Sequence, residues 1–178
     1  MQPLRKWRAN KAWEQRMQTG RQQPRRAYRT DKQAEVLLLA NQDEPDTLNT
    51  TRAFAKTERE RGATVHVLTY TAVKPVKGAP PDNSLWTPAD MQYSGLPKAE
   101  REAYWRQREY DLVIHCSLVP FAPFDYLVAG LTAHRRIAAY DQALDSYDLV
   151  VAPPSGAGLA DFLQQVKRYL SVLSPDYA

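Results

Sequence analysis

The sequence predicts a three-layer, Rossmann-like α/β fold with a mostly parallel sheet of about five strands, preceded by a basic N-terminal helix. Short apolar runs alternate with helical patterns from residue 35 onward, and this alternation is typical of βαβ units. A length of 178 residues suits one main domain, and a composition of 43% apolar and 25% charged residues excludes a wholly disordered or fibrous chain. We therefore expect a helical arm and tether over residues 1–30 and a single α/β domain over residues 31–178.

The first βαβ unit is predicted between residues 35 and 70. Glu35–Ala40 is a nearly continuous apolar run, as expected of a strand buried on both faces. Asp46–Arg61 contains neither proline nor glycine and carries apolar residues at helical spacing, and Gly62 is a favourable C-terminal residue for that helix. Thr64–Tyr70 is rich in β-branched and aromatic residues and predicts the second strand.

A segment rich in proline and glycine, residues 73–97, then predicts a long loop with one short strand near Met91–Tyr93. The charged run Lys98–Tyr110 follows and predicts a helix. After it, the apolar residues of Leu112–Ser117 predict the third strand.

The last third of the chain continues the same alternation. Phe124–Ala133 predicts a short helix, Arg136–Tyr140 the fourth strand, and Asp148–Ala152 the fifth. Between these two strands, Asp141–Asp145 reads as an exposed acidic turn. Leu159–Leu173 places six apolar residues on one stripe and predicts an amphipathic helix that packs on the sheet.

Basic residues are concentrated at the start of the chain. Residues 1–30 carry nine Lys or Arg side chains and one acid, a net charge of +8, whereas residues 31–178 carry a net charge of −4. Arms of this kind commonly meet phosphate groups on nucleic acids or lipid headgroups. The candidate polyanion-binding residues are Arg5, Lys6, Arg8, Lys11, Arg16, Arg21, Arg25, Arg26, Arg29, Trp7 and Trp13.

The arm itself is predicted to be a helix over residues 4–19, which Gly20 ends. Four interpretations of its surface stay open, one of which is contact with a protein partner. The arginines and a stacking tryptophan suit ribosomal or other structured RNA, and the same residues suit an anionic membrane surface. Alternatively, Trp7, Trp13 and Met17 pack on the chain's own domain while the arginines stay in solvent.

Ligands of open parallel sheets lie outside the carboxyl ends of the strands, so those ends were searched for chemistry. His115 and Ser117 should point to one side of the third strand and Cys116 to the other. That alternation allows His115 to act as a base for Ser117. The other interpretation is a buried cysteine beside a hydrogen-bonded histidine.

A second candidate is the turn before the last helix, where Ser155, Gly156 and Gly158 could bind an anion through free backbone N–H groups. The turn lacks the lysine and the following Ser or Thr of a P-loop. His66 and His134 stand alone, without metal-ligand spacing to another His or Cys. No metal and no cofactor is predicted.

The motifs also resemble known families. The basic leading helix and the core and turn motifs resemble a family of short bacterial proteins recorded as a domain of unknown function. A weaker likeness is to the N-terminal half of heptosyltransferase-like glycosyltransferases, carried by Tyr110–Ile114 and by Arg135–Ala138, with alanine where that family has glycine. The motifs shared with the first family are Glu35–Ala40, Gly95–Pro97, Tyr110–Ile114, Arg136–Tyr140, Tyr147–Val151 and Phe162–Leu173.

Composition and hydropathy indicate where in the cell the protein is expected. The mean hydropathy is −0.58, no apolar run approaches 18 residues, and the first residues are too polar for a secretory signal. One cysteine excludes an intramolecular disulfide. We therefore expect a cytoplasmic protein without a transmembrane segment.

Two functions of different classes follow from these patterns. The first is a non-catalytic binding protein that docks through its basic arm on a polyanion, most plausibly ribosomal or other structured RNA. The alternative is a small or vestigial enzyme that binds a phosphorylated or sugar-nucleotide ligand at the carboxyl ends of the strands.

Overall fold

The computed structural model describes residues 11, 13–16, 34–73, 82–140 and 146–173, and these contain a six-stranded sheet whose strand pairs are all parallel. The order across the sheet is β3-β2-β1-β4-β5-β6, so the winding direction reverses between β1 and β4. The strands are β1 (Glu35–Asn41), β2 (Thr64–Tyr70), β3 (Leu85–Trp86), β4 (Glu109–His115), β5 (Thr132–Ala138) and β6 (Leu149–Val150).

Helices cover both faces of this sheet, which confirms the predicted three-layer α/β fold. Helices α1 and α4 pack on one face, and α2 and α3 pack on the other. The helices among the described residues outside the arm are α1 (Thr47–Glu60), α2 (Ala99–Arg106), α3 (Ala122–Val128) and α4 (Leu159–Leu173), together with a 3-10 turn at Pro88–Asp90.

Strand β1 forms the centre of the core because its side chains feed both faces. Val36, Leu38 and Ala40 pack beneath α1 and α4, whereas Leu37 and Leu39 pack beneath α2 and α3. All five are fully buried. This arrangement explains the unbroken apolar run, since a strand covered on both faces has no solvent side for polar residues.

Three sequence predictions hold closely and one segment requires correction. Strands β1 and β2 and helix α4 lie where they were predicted, and Gly62 follows α1 with φ of 93°. The predicted strand near Met91–Tyr93 is wrong: Met91 forms only an isolated antiparallel bridge with Pro97. The strand of this region is β3, whose two residues are too few to show the alternation of apolar and polar side chains that predicts a strand.

The observed boundaries of α2 and β4 differ from the predicted ones, because β4 begins with polar residues. Helix α2 ends at Arg106 and β4 begins at Glu109, although the sequence predicted helix to Tyr110. The reason is long-range pairing: Glu109 and Tyr110 pair with β5, and the Asp111 carboxylate accepts the Glu35 backbone N–H at 2.9 Å. A local helical pattern contains neither interaction.

The next helix and strand are also earlier than predicted. Helix α3 ends at Val128, and β5 spans Thr132–Ala138 rather than Arg136–Tyr140. The first half of β5 carries polar residues with intermediate exposure, so its sequence lacks an apolar run. The predicted fifth strand shortens to β6, which lies at the edge of the sheet. The predicted acidic turn at 141–145 lies outside the described residues.

The buried centre of β4 makes the strand assignment testable. We expect Val113→Asp to abolish cooperative unfolding in a thermal or urea melt, because Val113 is fully buried and an unpaired carboxylate there has a large desolvation cost. Val119→Asp is the matched control, since Val119 lies six residues on and is 52% exposed. A Val113→Asp protein that stays soluble and melts cooperatively would contradict the assignment.

Candidate functional site

The site is built where the winding direction reverses, at the carboxyl ends of β1 and β4. Glu44 follows β1 and Ser117 follows β4. The Ser117 hydroxyl lies 2.7 Å from both carboxylate oxygens of Glu44 and is fully buried. This contact fixes the Glu44 carboxylate across the two strand ends. Reversal points of this kind are where open α/β sheets bind ligands.

A second polar cluster lies at the last residue of β4. His115, which is fully buried, places Nδ1 3.2 Å from Asp125 Oδ1. The same nitrogen lies 2.7 Å from the Tyr140 hydroxyl and 2.8 Å from the Tyr147 hydroxyl. We refer to these four residues, His115, Asp125, Tyr140 and Tyr147, as the His–Asp–Tyr cluster.

The hydrogen-bond network assigns the proton positions in this cluster. Both tyrosine hydroxyls donate to Asp125 Oδ1, Tyr147 at 2.6 Å and Tyr140 at 3.0 Å. His115 Nδ1 then faces only acceptors, so the network assigns its hydrogen to Nδ1. The three hydrogen bonds to Asp125 all reach Oδ1. Asp125 Oδ2 has no hydrogen-bond partner among the described residues. Oδ2 is therefore available to accept a bond from a ligand.

The tyrosines stay protonated and act as donors. Burial, reinforced by the nearby Asp125 charge, raises the pKa of Tyr140 far above its usual range, and the same two causes raise the pKa of Tyr147. A phenol that cannot ionise near neutral pH is a fixed hydrogen-bond donor. The two tyrosines therefore donate hydrogen bonds to a carboxyl group that is only 3% exposed.

The predicted pairing of His115 with Ser117 is not formed. Ser117 bonds to Glu44 and to the backbone of Val119, whereas His115 turns to the other members of its cluster. His115 Nε2 is buried and has no hydrogen-bond partner among the described residues.

Cys116 lies in the core beneath α1 and α4, on the opposite face of the sheet from the cluster. Burial raises the pKa of its thiol to about 12. This agrees with the interpretation of an unreactive buried cysteine.

Sequence reasoning missed Glu44, Asp125, Tyr140 and Tyr147 as partners in a site. Asp125 carried one usable signal, because it is a lone acid in the otherwise apolar stretch of α3. A buried acid needs hydrogen-bond donors. The two tyrosines come from segments 15 and 22 residues further along the chain, and no local pattern connects them.

The second predicted candidate, the turn with Ser155, Gly156 and Gly158, precedes α4 at the edge of the sheet. Gly156 has φ of 81°, which suits glycine. The Gly158 N–H donates to the Asp161 carboxylate at 2.9 Å, so one N–H of the turn is already used by an anion of the chain itself. Anion binding by this turn stays a prediction.

Most of the arm lies outside the described residues, including Arg5, Lys6, Trp7, Arg8, Arg21, Arg25, Arg26 and Arg29. Lys11 and residues 13–16 are described and helical. Lys11 is exposed, whereas Trp13 and Arg16 are partly buried. The Trp13 ring lies 6.1 Å from the Tyr126 ring on α3. This part of the arm therefore contacts the chain's own domain.

Arg16 makes the strongest of these contacts. Its guanidinium donates to Glu102 on α2 at 2.7 Å and to the Tyr126 hydroxyl at 3.1 Å, and it lies 4.4 Å above the Tyr126 ring. A Cβ at Gly130 would overlap the same guanidinium. Glycine at this position therefore opens the pocket that Arg16 fills.

Comparison with protein-family models matches residues 4–173 to a family of unknown function, DUF6913. The chain therefore belongs to this family, which confirms the resemblance to a domain of unknown function. Neither a curated protein nor a solved structure matches the chain, and the likeness to heptosyltransferase-like enzymes finds no support in these comparisons.

Two further searches cover the described part of the chain. It holds no helix that is both long and apolar enough to cross a membrane. The same residues hold no group of three or more His, Cys, Asp and Glu side chains that could bind a metal ion.

The pair of Arg16 with Glu102 predicts a pH-dependent loss of stability in Arg16→Met. Burial raises the pKa of Glu102, and the Arg16 charge opposes that rise. Removing the guanidinium should raise this pKa further. A buried carboxyl with a raised pKa destabilises the fold little at low pH, where it is protonated, and increasingly as pH rises through that pKa and it must ionise. In urea unfolding, we expect a deficit of about 2–3 kcal/mol at pH 7 and a smaller one near pH 4.

Glu14→Gln is the control, because Glu14 belongs to the same helical segment and is exposed. It should melt like the unmodified chain at both pH values. An Arg16→Met deficit that is the same at pH 4 and pH 7 would show that the guanidinium does not compensate the Glu102 charge.

Proposed function

We propose that this domain binds a small, hydroxyl-rich, sugar-like ligand at the carboxyl ends of β1 and β4. The observation that carries the proposal is a pair of fixed carboxylates at the point where the winding direction reverses. Ser117 holds Glu44, and the His–Asp–Tyr cluster holds Asp125 with Oδ2 available. Sites held in place before binding lose little free energy to ordering when a ligand arrives.

The charge of these strand ends selects the class of ligand. The loop between β1 and α1 carries Asp43, Glu44 and Asp46, and α3 after β4 carries Asp125. Residues 42–46 and 116–128 contain no basic side chain. Carboxylates accept hydrogen bonds from hydroxyl groups and repel phosphate. This favours the sugar part of the predicted sugar-nucleotide over its phosphates.

Aromatic rings beside the carboxylates supply the apolar side of the site. Phe121 lies 4.7 Å from the Tyr70 ring and 4.9 Å from the Phe124 ring, as centroid distances. The Phe121 backbone N–H donates to the Tyr140 hydroxyl at 3.3 Å, which ties this aromatic group to the His–Asp–Tyr cluster. Ligand sites commonly combine apolar and aromatic walls with a few fixed polar groups.

The test is a titration of the full chain with neutral monosaccharides, followed by ¹H–¹⁵N chemical shifts. We expect saturable shifts in Asn41–Glu44 and Ser117–Phe121. Glu44→Gln should weaken this binding about tenfold, the size of a lost charged hydrogen bond. Its melting temperature should change little, because the amide can still bond to Ser117.

Glu100→Gln is the control, since it removes one exposed carboxylate from α2, away from the strand ends. It should bind the sugar as the unmodified chain does. Inorganic phosphate is the second arm of the experiment. Shifts at these residues with phosphate but not with any sugar would overturn the proposal, and so would equal weakening by the two variants.

A second candidate function rests on the charge of the arm. We propose that residues 1–30, with a net charge of +8, bind a polyanion, with structured RNA as the favoured partner. The described contacts are compatible with this function, because Arg16 and Trp13 hold the segment on the domain while Lys11 is exposed. Arginine–phosphate contacts would then come from the remaining basic residues.

Salt dependence tests this second function. Binding of a synthetic RNA hairpin, measured by fluorescence anisotropy, should weaken log-linearly with salt, with a slope of about −3 to −4 for four direct phosphate contacts. Replacing Arg21, Arg25, Arg26 and Arg29 with Gln should flatten this slope. Arg16 is left in place because its loss would also affect stability.

Two controls separate the alternatives. Arg168→Gln with Lys56→Gln changes exposed basic residues on α4 and α1 and should leave the slope unchanged. Vesicles of anionic lipid test the membrane interpretation. RNA binding that is absent at low salt, or a slope that the four arm substitutions do not alter, would overturn the second function.

A further inference from the structure

Strand β2 has a free edge over the first part of its length. Thr69 and Thr71 donate their N–H groups to the β3 side, to Ser84 and Trp86, whereas Thr64 donates to Ala34 on the β1 side. Backbone groups alternate between the two edges along a strand, so those of Val65 and Val67 also point away from β1. Strand β3 pairs only with Thr69 and Tyr70.

Val65 and Val67 therefore face no neighbouring strand in the described part of the chain. The Val65 carbonyl is covered, because it accepts a hydrogen bond from Arg59 at 2.8 Å. Among the described residues, the Val65 N–H and both backbone groups of Val67 have no backbone partner. Free edges are usually covered or blunted in native proteins, and the described part of the chain covers only one of these four groups.

This edge opens into a cleft of about 950 Å³. Two kinds of wall face each other across it. Helix α1 contributes Arg52, Ala55 and Arg59, and the opposite side contributes Tyr104 and Trp105 from α2. Trp105 is 3% exposed, and its indole N–H is buried without a hydrogen-bond partner.

We propose that this cleft binds an extended peptide segment of a partner protein, which adds a strand beside Val65–Val67. Strand addition uses the main-chain groups of a free edge for affinity and the two walls for specificity. Side chains of an added strand alternate between the walls. The segment would therefore present acidic residues to Arg52 and Arg59 and apolar residues to Tyr104.

Charge complementarity favours this occupant over a second copy of the chain. The α1 wall carries two arginines, and β2 itself presents no acid to pair with them. The one acid among the cleft residues, Asp82, accepts hydrogen bonds from Ser84 just before β3. In a symmetric pair of β2 edges, these arginines would approach their own counterparts, and like charges placed opposite each other destabilise a strand pair.

The probe is an acetylated and amidated peptide, Val-Glu-Val-Glu-Val, added to the full chain. We expect ¹H–¹⁵N shifts centred on the amides of Val65 and Val67. Two N-methylated versions carry the methyl groups on the valines or on the glutamates, with unchanged net charge. If the added strand runs parallel to β2, the residues whose backbone groups bond to β2 point their side chains to the α2 wall. Those residues are the valines, so N-methylation of the valines should abolish binding. If the added strand is antiparallel, the bonding residues are the glutamates, and N-methylation of the glutamates should abolish binding instead.

Variants of the protein separate the edge from the charge. Val67→Pro removes an N–H that has no backbone partner among the described residues, and edge strands tolerate proline at such positions. This variant should bind the peptide about tenfold more weakly. Arg52→Ala should weaken peptide binding about three- to fivefold. Lys56→Ala is the control for Arg52, because Lys56 is exposed on the same helix and is not among the cleft residues.

Three results would overturn the proposal. The first is equal binding of the parent peptide and both N-methylated versions, which would indicate charge attraction to the basic arm. The second is protection of the Val67 amide from hydrogen exchange without peptide, as expected if the chain's own residues 74–81 cover the edge. The third is dimerisation in analytical ultracentrifugation that the peptide does not reverse.

Discussion

The complete burial of β1 is the constraint on which the other features depend. Residues 36–40 have no exposed surface, so each face of the strand requires a helical layer, and each edge requires a neighbouring strand. Strand β2 lies on one side and β4 on the other. Because later strands are added on both sides of β1, the winding direction reverses between β1 and β4. Glu44 and Ser117 meet at that reversal.

The polar cluster at the end of β4 shows how a buried strand terminates. His115 continues the buried face of its strand, yet its neighbours there are Asp125 and two tyrosines rather than aliphatic side chains. A buried carboxylate is stable only with donors around it, and Asp125 Oδ1 has three. The same contacts tie α3, β5 and the segment before β6 together. One hydrogen-bond network therefore both holds Asp125 in place and leaves its Oδ2 available.

What the sequence could predict follows from the range of each interaction. The apolar runs of β1 and β2 and the stripe of α4 are local patterns, and those elements lie where they were predicted. Strand β3 is two residues long and exists because it pairs with β2. The contact of Arg16 with Glu102 spans 86 residues, and that of Glu44 with Ser117 spans 73. No local period encodes either contact, so the cleft and the partners of the site required the structure.

The short helices α2 and α3 connect the described arm residues, the strand-end site and the cleft beside β2. On α3, Asp125 points to the His–Asp–Tyr cluster, while the next residue, Tyr126, receives Arg16 from the arm. On α2, Glu102 binds Arg16, while Arg101 donates to the carbonyls of Asp82 and Leu85 at the start of β3. The described arm residues Trp13 and Arg16 therefore rest on the same two helices that position the strand-end carboxylate and line the cleft. Because these contacts are made by adjacent residues on one helix, a change in how Arg16 is held also bears on Asp125 and on the start of β3.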